Sequence, residues 1–204
     1  MLPAMDALTM IRLGLQEIGP ITDEAWNAFE PFLQEKRLKK GTFFAMEGLP
    51  ARDIAFVASG ILRMYYVRED GREFNKSFVT AGDICGVLDA LILNQPSRLY
   101  IDTLSPCHLF TLPWASLEAL FDTYPCWSRI GRRFAYLLSV KKMRREASFL
   151  LDSAEERYRC FCNEYGGIAQ LIPDYHIASY LGITPVALCR IKKRISRTAS
   201  SQTL

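Results

Sequence analysis

Apolar residues along this chain change from helical spacing to strand-like alternation and then back to helical spacing. Residues 6–33 follow a helical pattern that is interrupted at Gly19-Pro20. Residues 37–112 contain short runs rich in β-branched and aromatic residues, separated by turn residues. These runs predict six strands, with the sequences GTFFAM, IAFVAS, ILRMYYV, EFNKSFV, LYIDTL and HLFTL.

The strand region as a whole predicts a compact β roll. Asp70-Gly71 separates two alternating runs and therefore indicates a hairpin. Regular short strands between such turns are typical of a jelly roll or barrel. Residues 86–93, GVLDALIL, are the exception and predict a short helix within the sheet region.

Helical spacing returns after the strands, first over residues 114–124 and then over a long segment at 126–150. The long segment has apolar residues at spacings of three and four, which predicts one apolar stripe. Such a stripe can pair with the same helix of a second subunit or pack on the chain's own barrel, and the spacing favours neither. The stripe consists of Trp127, Ile130, Phe134, Leu137, Leu138 and Lys141.

Residues 175–195, YHIASYLGITPVALCRIKKRI, predict a helix-turn-helix. Gly182 follows a short apolar helix, at a position where a left-handed backbone ends it. Thr184 is a favourable N-cap and Pro185 a favourable first residue for the second helix. Leu188, Ile191 and Ile195 form the buried stripe of that helix.

The opposite face of the second helix suits the major groove of DNA, because its first turn is small and its later turns are basic. The alternative is that two ordinary packed helices expose a solvated basic face. The residues predicted to contact DNA are Thr184, Pro185, Val186, Ala187, Cys189, Arg190, Lys193 and Arg194.

The distribution of charge favours the DNA-binding interpretation. Residues 1–124 contain 11 Lys/Arg against 16 Asp/Glu, whereas residues 125–204 contain 14 against 6. Solvated surface charge alone does not explain this change of sign along the chain. We therefore expect only the second part to meet phosphates.

Other classes of function have little support. No catalytic triad, metal cluster or glycine-rich phosphate loop is present at workable spacing, which argues against an enzyme. No apolar run reaches the length of a membrane span, and the N-terminus does not resemble a signal peptide, so we expect a cytoplasmic protein with reduced thiols and no membrane partner. Most of the six cysteines fit buried small apolar residues better than metal ligands.

Taken together, the barrel, long helix and helix-turn-helix resemble the Crp/Fnr family of bacterial transcription regulators. The most specific segments are SAEERY at 153–158 and HIASYLGITPVALCRIKKRI at 176–195. LKKGTFFAMEG, GILRMYYVREDGRE and AGDICG match the family's barrel motifs. The resemblance implies a cyclic-nucleotide-binding-like roll, a coiled-coil homodimer, a winged helix that reads a palindromic operator, and RNA polymerase as a further partner.

The resemblance also places a candidate effector pocket, but with departures from the members that respond to cyclic AMP. Those members have a Gly-Glu pair and an arginine that holds the cyclic phosphate, whereas here Gly86 precedes Val87. Arg98 is displaced by one residue from the expected arginine, and Asp89 is a weak substitute for the acid. We therefore expect no cyclic AMP or cyclic GMP, and either another effector or none. The candidate pocket residues are Gly86, Val87, Leu88, Asp89, Arg98, Leu99 and Tyr100.

Two further departures concern sensing and DNA contact. Oxygen-sensing members carry cysteines near the N-terminus, and this chain has none before Cys85, which argues against a similar iron–sulfur cluster. Val186 replaces a common acidic residue and would contact a thymine methyl, while Arg190 keeps the family's arginine and would pair with guanine. Thr184, Lys193 and Arg194 would hold phosphates. Little sequence follows for a wing, and residues 196–204 are expected to be disordered.

The prediction is an α+β protein with an N-terminal double-stranded β-helix (jelly-roll) sensor domain at 1–124. A dimerisation helix at 125–151 and a helix-turn-helix domain at 152–204 follow. The predicted function is that of a homodimeric transcription regulator that binds double-stranded DNA, with a signal in the roll changing how two long helices cross. The alternative is a ligand-binding or protein-interaction module whose C-terminal helices dock on a protein partner.

Overall fold

A computed structural model describes residues 6–201, with side chains for residues 6–196. Within this range, eight strands form two four-stranded sheets with the orders β1-β8-β3-β6 and β2-β7-β4-β5. The pairing is antiparallel, as in a jelly roll. The strands are β1 (Gln34–Leu38), β2 (Phe43–Ala45), β3 (Asp53–Ser59), β4 (Ile61–Val67), β5 (Glu73–Thr80), β6 (Ile84–Cys85), β7 (Tyr100–Thr103) and β8 (Cys107–Pro113).

Helices precede, interrupt and follow the sheets, which confirms the predicted α+β class. The short helix expected inside the sheet region is α3. Short 3-10 turns lie at Glu30–Phe32 and Ala169–Leu171. The α-helices among the described residues are α1 (Ala7–Ile18), α2 (Asp23–Phe29), α3 (Leu88–Leu93), α4 (Trp114–Thr123), α5 (Pro125–Leu151), α6 (Ala154–Tyr165), α7 (Asp174–Leu181) and α8 (Pro185–Ser201).

The six predicted strands correspond to β2, β3, β4, β5, β7 and β8, and the structure adds β1 and β6. Strand β1 has the sequence QEKRL. Because most of these residues are charged or polar, the pattern of apolar runs did not predict this strand. It pairs with β8 at the edge of its sheet, where charged residues are common. One further expectation was wrong. Helix α8 continues to Ser201 through the tail that was predicted to be disordered, whose residues 202–204 lie outside the described range.

The chain divides into two compact units. The first contains the described residues up to Tyr66 together with Ser77–Ser139, and the second contains Val67–Lys76 and the described residues from Val140 onward. The division therefore falls inside α5, and not at the predicted boundary after residue 124. None of the described helices is long and apolar enough to cross a lipid bilayer.

The core of the first unit has two layers that share strand β3. Ala55 and Val57 point into the interior of the roll, where they pack with residues of the opposite sheet such as Ile101. Ile54 and Phe56 point the other way and pack with the helices. Successive side chains of a strand alternate between faces, so the apolar run in β3 serves both layers.

The second unit includes the tip of the β4–β5 hairpin. The predicted hairpin is present, with the Arg68 amide donating to the Arg72 carbonyl at 3.0 Å. Gly71 has a φ of 79°, the left-handed conformation that such a turn requires. Asn75, at the base of the tip, donates through Nδ2 to the His176 carbonyl at 3.1 Å, so the hairpin tip packs directly on α7.

The first part of α5 is buried within its own chain, which contradicts the predicted role of Trp127 and Ile130 in a dimer contact. Trp127 is 1% exposed, and its ring lies 4.5 Å from that of Phe29 between centroids. Its Nε1 donates to the Ala25 carbonyl at 3.1 Å. Ile130 belongs to the same cluster as Trp127. For these two residues, packing on the chain's own barrel was therefore the correct alternative.

The rest of the predicted stripe is divided between environments. Phe134 and Leu138 are half-buried in the single chain, and Leu137 is exposed. The Lys141 ammonium pairs with the Glu164 carboxylate at 2.6 Å. A face of α5 that shares only Leu137 with the predicted stripe presents apolar side chains to solvent at spacings of four and three. We call this face the outer stripe, and it consists of Tyr136, Leu137, Val140 and Met143.

Candidate nucleic-acid interface

The helix-turn-helix forms because each predicted local signal is satisfied. Gly182 has a φ of 70° and ends α7, with its amide donating to the carbonyls of Ala178 and Ser179. Thr184 Oγ1 accepts from the Ala187 amide at 3.2 Å and so caps α8. A side chain at Gly182 would also meet the Phe149 ring at 3.0 Å. Both the dihedral angle and the contact therefore favour glycine here.

One side of this pair of helices is anchored in the core of the second unit. Ile177 and Leu181 of α7 are buried, as are Leu188 and Ile191 of α8. The ring of Phe161 on α6 is buried as well. These positions follow helical spacing, so the opposite side of α8 is left to face solvent.

The residues predicted to contact DNA lie on that solvent side. All but Ala187, which is half-buried, are exposed. Arg190 and Lys193 make no side-chain hydrogen bond or ion pair with the part of the chain that the structure describes. We call the exposed residues of this set other than Arg194 the recognition face, and they are Thr184, Pro185, Val186, Cys189, Arg190 and Lys193.

Two other cations of α8 are paired with carboxylates of neighbouring helices. Lys192 forms an ion pair with Asp174 of α7. Arg194, which was predicted to hold a phosphate, forms an ion pair with Glu155 of α6. Glu155 also accepts from Arg159 Nη2 at 2.9 Å. The hydrogen bond from Arg159, together with those from Arg194, holds the pKa of Glu155 below its ordinary value.

The predicted effector-pocket residues do not share one environment. Val87 and Leu99 are buried in the interior of the roll, and Gly86 lies against Ile54, where an added Cβ would be 3.0 Å from Cγ2. Asp89 and Arg98 are exposed, whereas Leu88 is half-buried. The structure therefore does not assemble these residues into one binding surface.

Tyr100 and Ser97 are engaged by neighbours in the same unit. The Tyr100 ring stacks on Tyr65 with centroids 5.4 Å apart. Ser97 Oγ donates to the Leu99 carbonyl at 2.7 Å and accepts from the Leu99 amide at 3.2 Å. The Leu99 amide therefore already has a hydrogen-bond partner.

A cavity of about 330 Å³ opens beside β2 in the first unit. Val87 is the only one of the predicted pocket residues that lines this cavity. Ser97 lines the cavity as well. Most of the lining residues are apolar, and Lys36, Arg52 and Asp53 also line the cavity. The apolar lining includes Leu38, Phe43, Phe44, Met46, Leu49 and Pro50.

The sequence interpretation missed a buried ion pair on the sheet that contains β4 and β7. Arg63 Nε lies 2.8 Å from Asp102 Oδ1, and Arg63 Nη2 lies 2.9 Å from Oδ2. The guanidinium carbon also lies 3.8 Å from the centre of the Tyr65 ring. Arg63 and Asp102 are register partners in adjacent strands. The sequence did contain a signal for this ion pair, because Arg63 and Asp102 each interrupt an otherwise largely apolar strand.

Comparisons with known proteins agree with this architecture. Residues 35–124 match the family model of the cyclic nucleotide-binding domain. Electron transport regulator A of Shewanella oneidensis is 25% identical over 179 residues, which cover 81% of this chain and 70% of that protein.

Solved structures extend the likeness to most of the chain. FixK2 from Bradyrhizobium japonicum superposes with a TM-score of 0.69 at 22% identity, over 82% of this chain and 86% of that one. A protein from Eubacterium rectale, described as a transcriptional regulator of the Crp/Fnr family, has a TM-score of 0.66 at 17% identity, over 87% and 85%. Residues 35–124 are therefore similar to the cyclic nucleotide-binding domain family. The chain has the fold of the Crp/Fnr regulators, as the sequence resemblance implied.

Proposed function

We propose that this protein is a homodimeric transcription regulator that binds DNA through the recognition face of α8. The observation that carries this proposal is the division of α8 into a buried side and an exposed side. Leu188 is fully buried, whereas Arg190 is exposed and makes no side-chain hydrogen bond or ion pair with the described residues. An exposed arginine on a firmly packed helix is suited to the bidentate recognition of guanine.

The first turn of α8 supports the same mode of binding. Val186 is 62% exposed and has an apolar surface suited to a thymine methyl. Thr184, exposed at the N-cap, and Lys193, on the same side of α8 as Val186, are suited to phosphates, which set the position of a protein on the duplex. Direct base contact is therefore assigned to Val186 and Arg190, and positioning to Thr184 and Lys193.

The proposed dimer uses the outer stripe of α5. Tyr136 and Met143 are 63% and 67% exposed, and Val140 lies between them on the helix. Exposed apolar residues at spacings of four and three are typical of a coiled-coil seam. Two copies joined in this way would present two recognition helices to half-sites about 34 Å apart, one turn of duplex.

We further propose that neither cyclic AMP nor cyclic GMP is the effector. Val87 is buried and offers no carboxylate, and the Leu99 amide is occupied by Ser97. A cyclic phosphate would have to displace that bond without a fixed guanidinium beside it, because Arg98 is exposed. The cavity beside β2 is the better candidate for a different small molecule.

Selection of binding sites from random duplexes with the purified protein tests the proposal. We expect a palindrome whose half-sites are one helical turn apart. Arg190→Ala should cost about 1–3 kcal/mol and relax the preference at one base position in each half-site. Lys193→Ala is the matched comparison, because losing a phosphate contact should weaken binding to all sequences alike.

A protein that docks only on a protein partner would behave differently. It would select no palindrome, and it would bind no duplex even in dilute salt. DNA binding through phosphates, by contrast, should weaken by several decades as salt rises to moderate concentration.

A further inference from the structure

The basic side chains of α8 fall into two groups that differ in their partners. Arg190 and Lys193 extend from the recognition face without an ion pair to the described residues. Lys192 and Arg194 are each paired with a carboxylate, Asp174 and Glu155 respectively. Half of the four cations at positions 190–194 are therefore already neutralised within the protein.

Glu155 is well placed to keep Arg194 engaged. It lies in the first turn of α6, and its side chain is only 23% exposed, against 65% for Arg194. Arg159, one turn further along α6, donates to the same carboxylate from Nε at 3.3 Å and from Nη2 at 2.9 Å. These bonds orient the carboxylate, and one of its oxygens remains directed at Arg194.

We propose that Glu155 limits the sequence-independent part of DNA affinity, because it withholds Arg194 from DNA phosphates. The inference rests on the proposed DNA-binding function. Phosphate contacts strengthen binding to every sequence alike, whereas base contacts discriminate among sequences. By neutralising a cation next to the recognition face, Glu155 lowers non-sequence-specific affinity and leaves recognition to Arg190. Arg194 then serves to hold α8 on α6, and not as the phosphate contact that the sequence predicted.

The salt dependence of binding measures this effect directly. The logarithm of the binding constant falls with the logarithm of the salt concentration by about 0.9 for each phosphate neutralised. Releasing Arg194 in both subunits of a dimer should steepen this slope by up to about 1.8. The gain in affinity should then be about tenfold larger at about 50 mM than at about 200 mM salt.

The test is Glu155→Gln, measured by fluorescence anisotropy on a mixed-sequence duplex and on the selected operator. We expect the same steeper slope on both duplexes and an unchanged ratio of operator to mixed-sequence affinity, because a phosphate contact strengthens binding to both alike. The double variant Glu155→Gln/Arg194→Gln should return to the wild-type slope, because the released cation is then absent. Thermal unfolding of each variant establishes that it is folded.

Glu164→Gln is the matched control. It removes the same charge from the same helix, but its carboxylate pairs with Lys141 of α5 and not with α8. We expect its slope to equal that of the wild type. The role of Glu155 is refuted if Glu155→Gln behaves like Glu164→Gln, or if its steeper slope persists in the double variant. A wild-type protein that binds no duplex in dilute salt would instead refute the proposed function itself.

Discussion

The two compact units are stabilised by different kinds of contact. In the first unit, aromatic and aliphatic side chains pack in two layers around β3. Phe29 lies at the centre of the helical layer, 4.5 Å from Trp127 and 5.9 Å from Phe56 between ring centroids. Burial of large apolar surfaces of this kind needs no particular charge state and is non-directional.

In the second unit, arginine side chains contact aromatic rings and backbone carbonyls beside the apolar core. Arg145 lies 3.8 Å above the centre of the Tyr180 ring, and its Nη2 donates to the Tyr180 carbonyl at 2.9 Å. Arg157 donates through Nε to the Leu181 carbonyl at 3.2 Å. Burial raises the pKa of Tyr180, so its phenol stays neutral beneath Arg145.

The two units therefore differ in how much charge they carry near their cores. The roll of the first unit can be built from apolar layers, because its interior does not have to display charge. If the second unit binds DNA as proposed, it has to display cations, so arginines near its core act as structural hydrogen-bond donors while other cations stay exposed. We therefore expect substitutions of equal size to have different consequences in the two units.

The largest expected effect is that of Trp127→Ala in the first unit. Loss of this buried ring should destabilise the protein by about 3–5 kcal/mol, because the cavity cannot be filled by its neighbours. Chemical unfolding measures the change. Arg132→Ala, at an exposed position of the same helix, should change stability by less than about 0.5 kcal/mol. Similar values for the two variants would show that the start of α5 is not anchored in this core.

The next effect concerns the outer face of the same helix. Val140→Glu should raise the dissociation constant of the dimer about 100-fold, or about 2.7 kcal/mol, because it buries an unpaired charge at the seam. Sedimentation velocity over a range of concentrations measures it. Ala135→Glu adds the same charge on a different exposed face and should leave the dimer intact. Equal effects of the two substitutions would place the dimer contact elsewhere.

Arg145→Gln should destabilise the second unit by about 1–3 kcal/mol, because a charged hydrogen bond and a cation–π contact are lost together. Faster hydrogen exchange of the α7 amides would report the change locally. Arg145→Lys keeps the positive charge but lacks the planar guanidinium group. It should therefore be more stable than Arg145→Gln but less stable than the wild type. Full restoration by lysine would mean that charge alone is required.

The smallest effect is expected from the capping box at the start of α6. The Ser153 amide donates to Glu156 Oε2 at 2.8 Å, and hydrogen bonds from Ser153 lower the pKa of Glu156. A lowered pKa stabilises the fold above the ordinary value of 4.5, and this contribution is lost as pH falls through the folded pKa. Glu156→Ala should therefore destabilise more at neutral pH than at low pH.

Unfolding of the Glu156→Ala variant and the wild type across this range measures the difference. Glu146→Ala removes an exposed carboxylate that accepts no hydrogen bond from the described residues and is the control. A pH-independent effect at Glu156 would contradict the role of its carboxylate in the cap.

Local signals in the sequence determined most of the elements. The glycine at 182, the cap at Thr184 and the apolar spacing of α8 were sufficient to predict the helix-turn-helix and its exposed face. The Asp70-Gly71 turn was sufficient to predict the hairpin. These features depend on neighbours within a few residues, which a sequence displays directly.

Only the tertiary structure decided what each side chain meets. The spacing of α5 showed which residues are apolar but not that Trp127 packs on Phe29, nearly 100 residues earlier in the sequence. In the same way, Arg194 looked like a free cation until the fold placed Glu155 beside it. Periodicity defines the faces of a helix, whereas burial and charge pairing depend on partners that lie far away in the sequence.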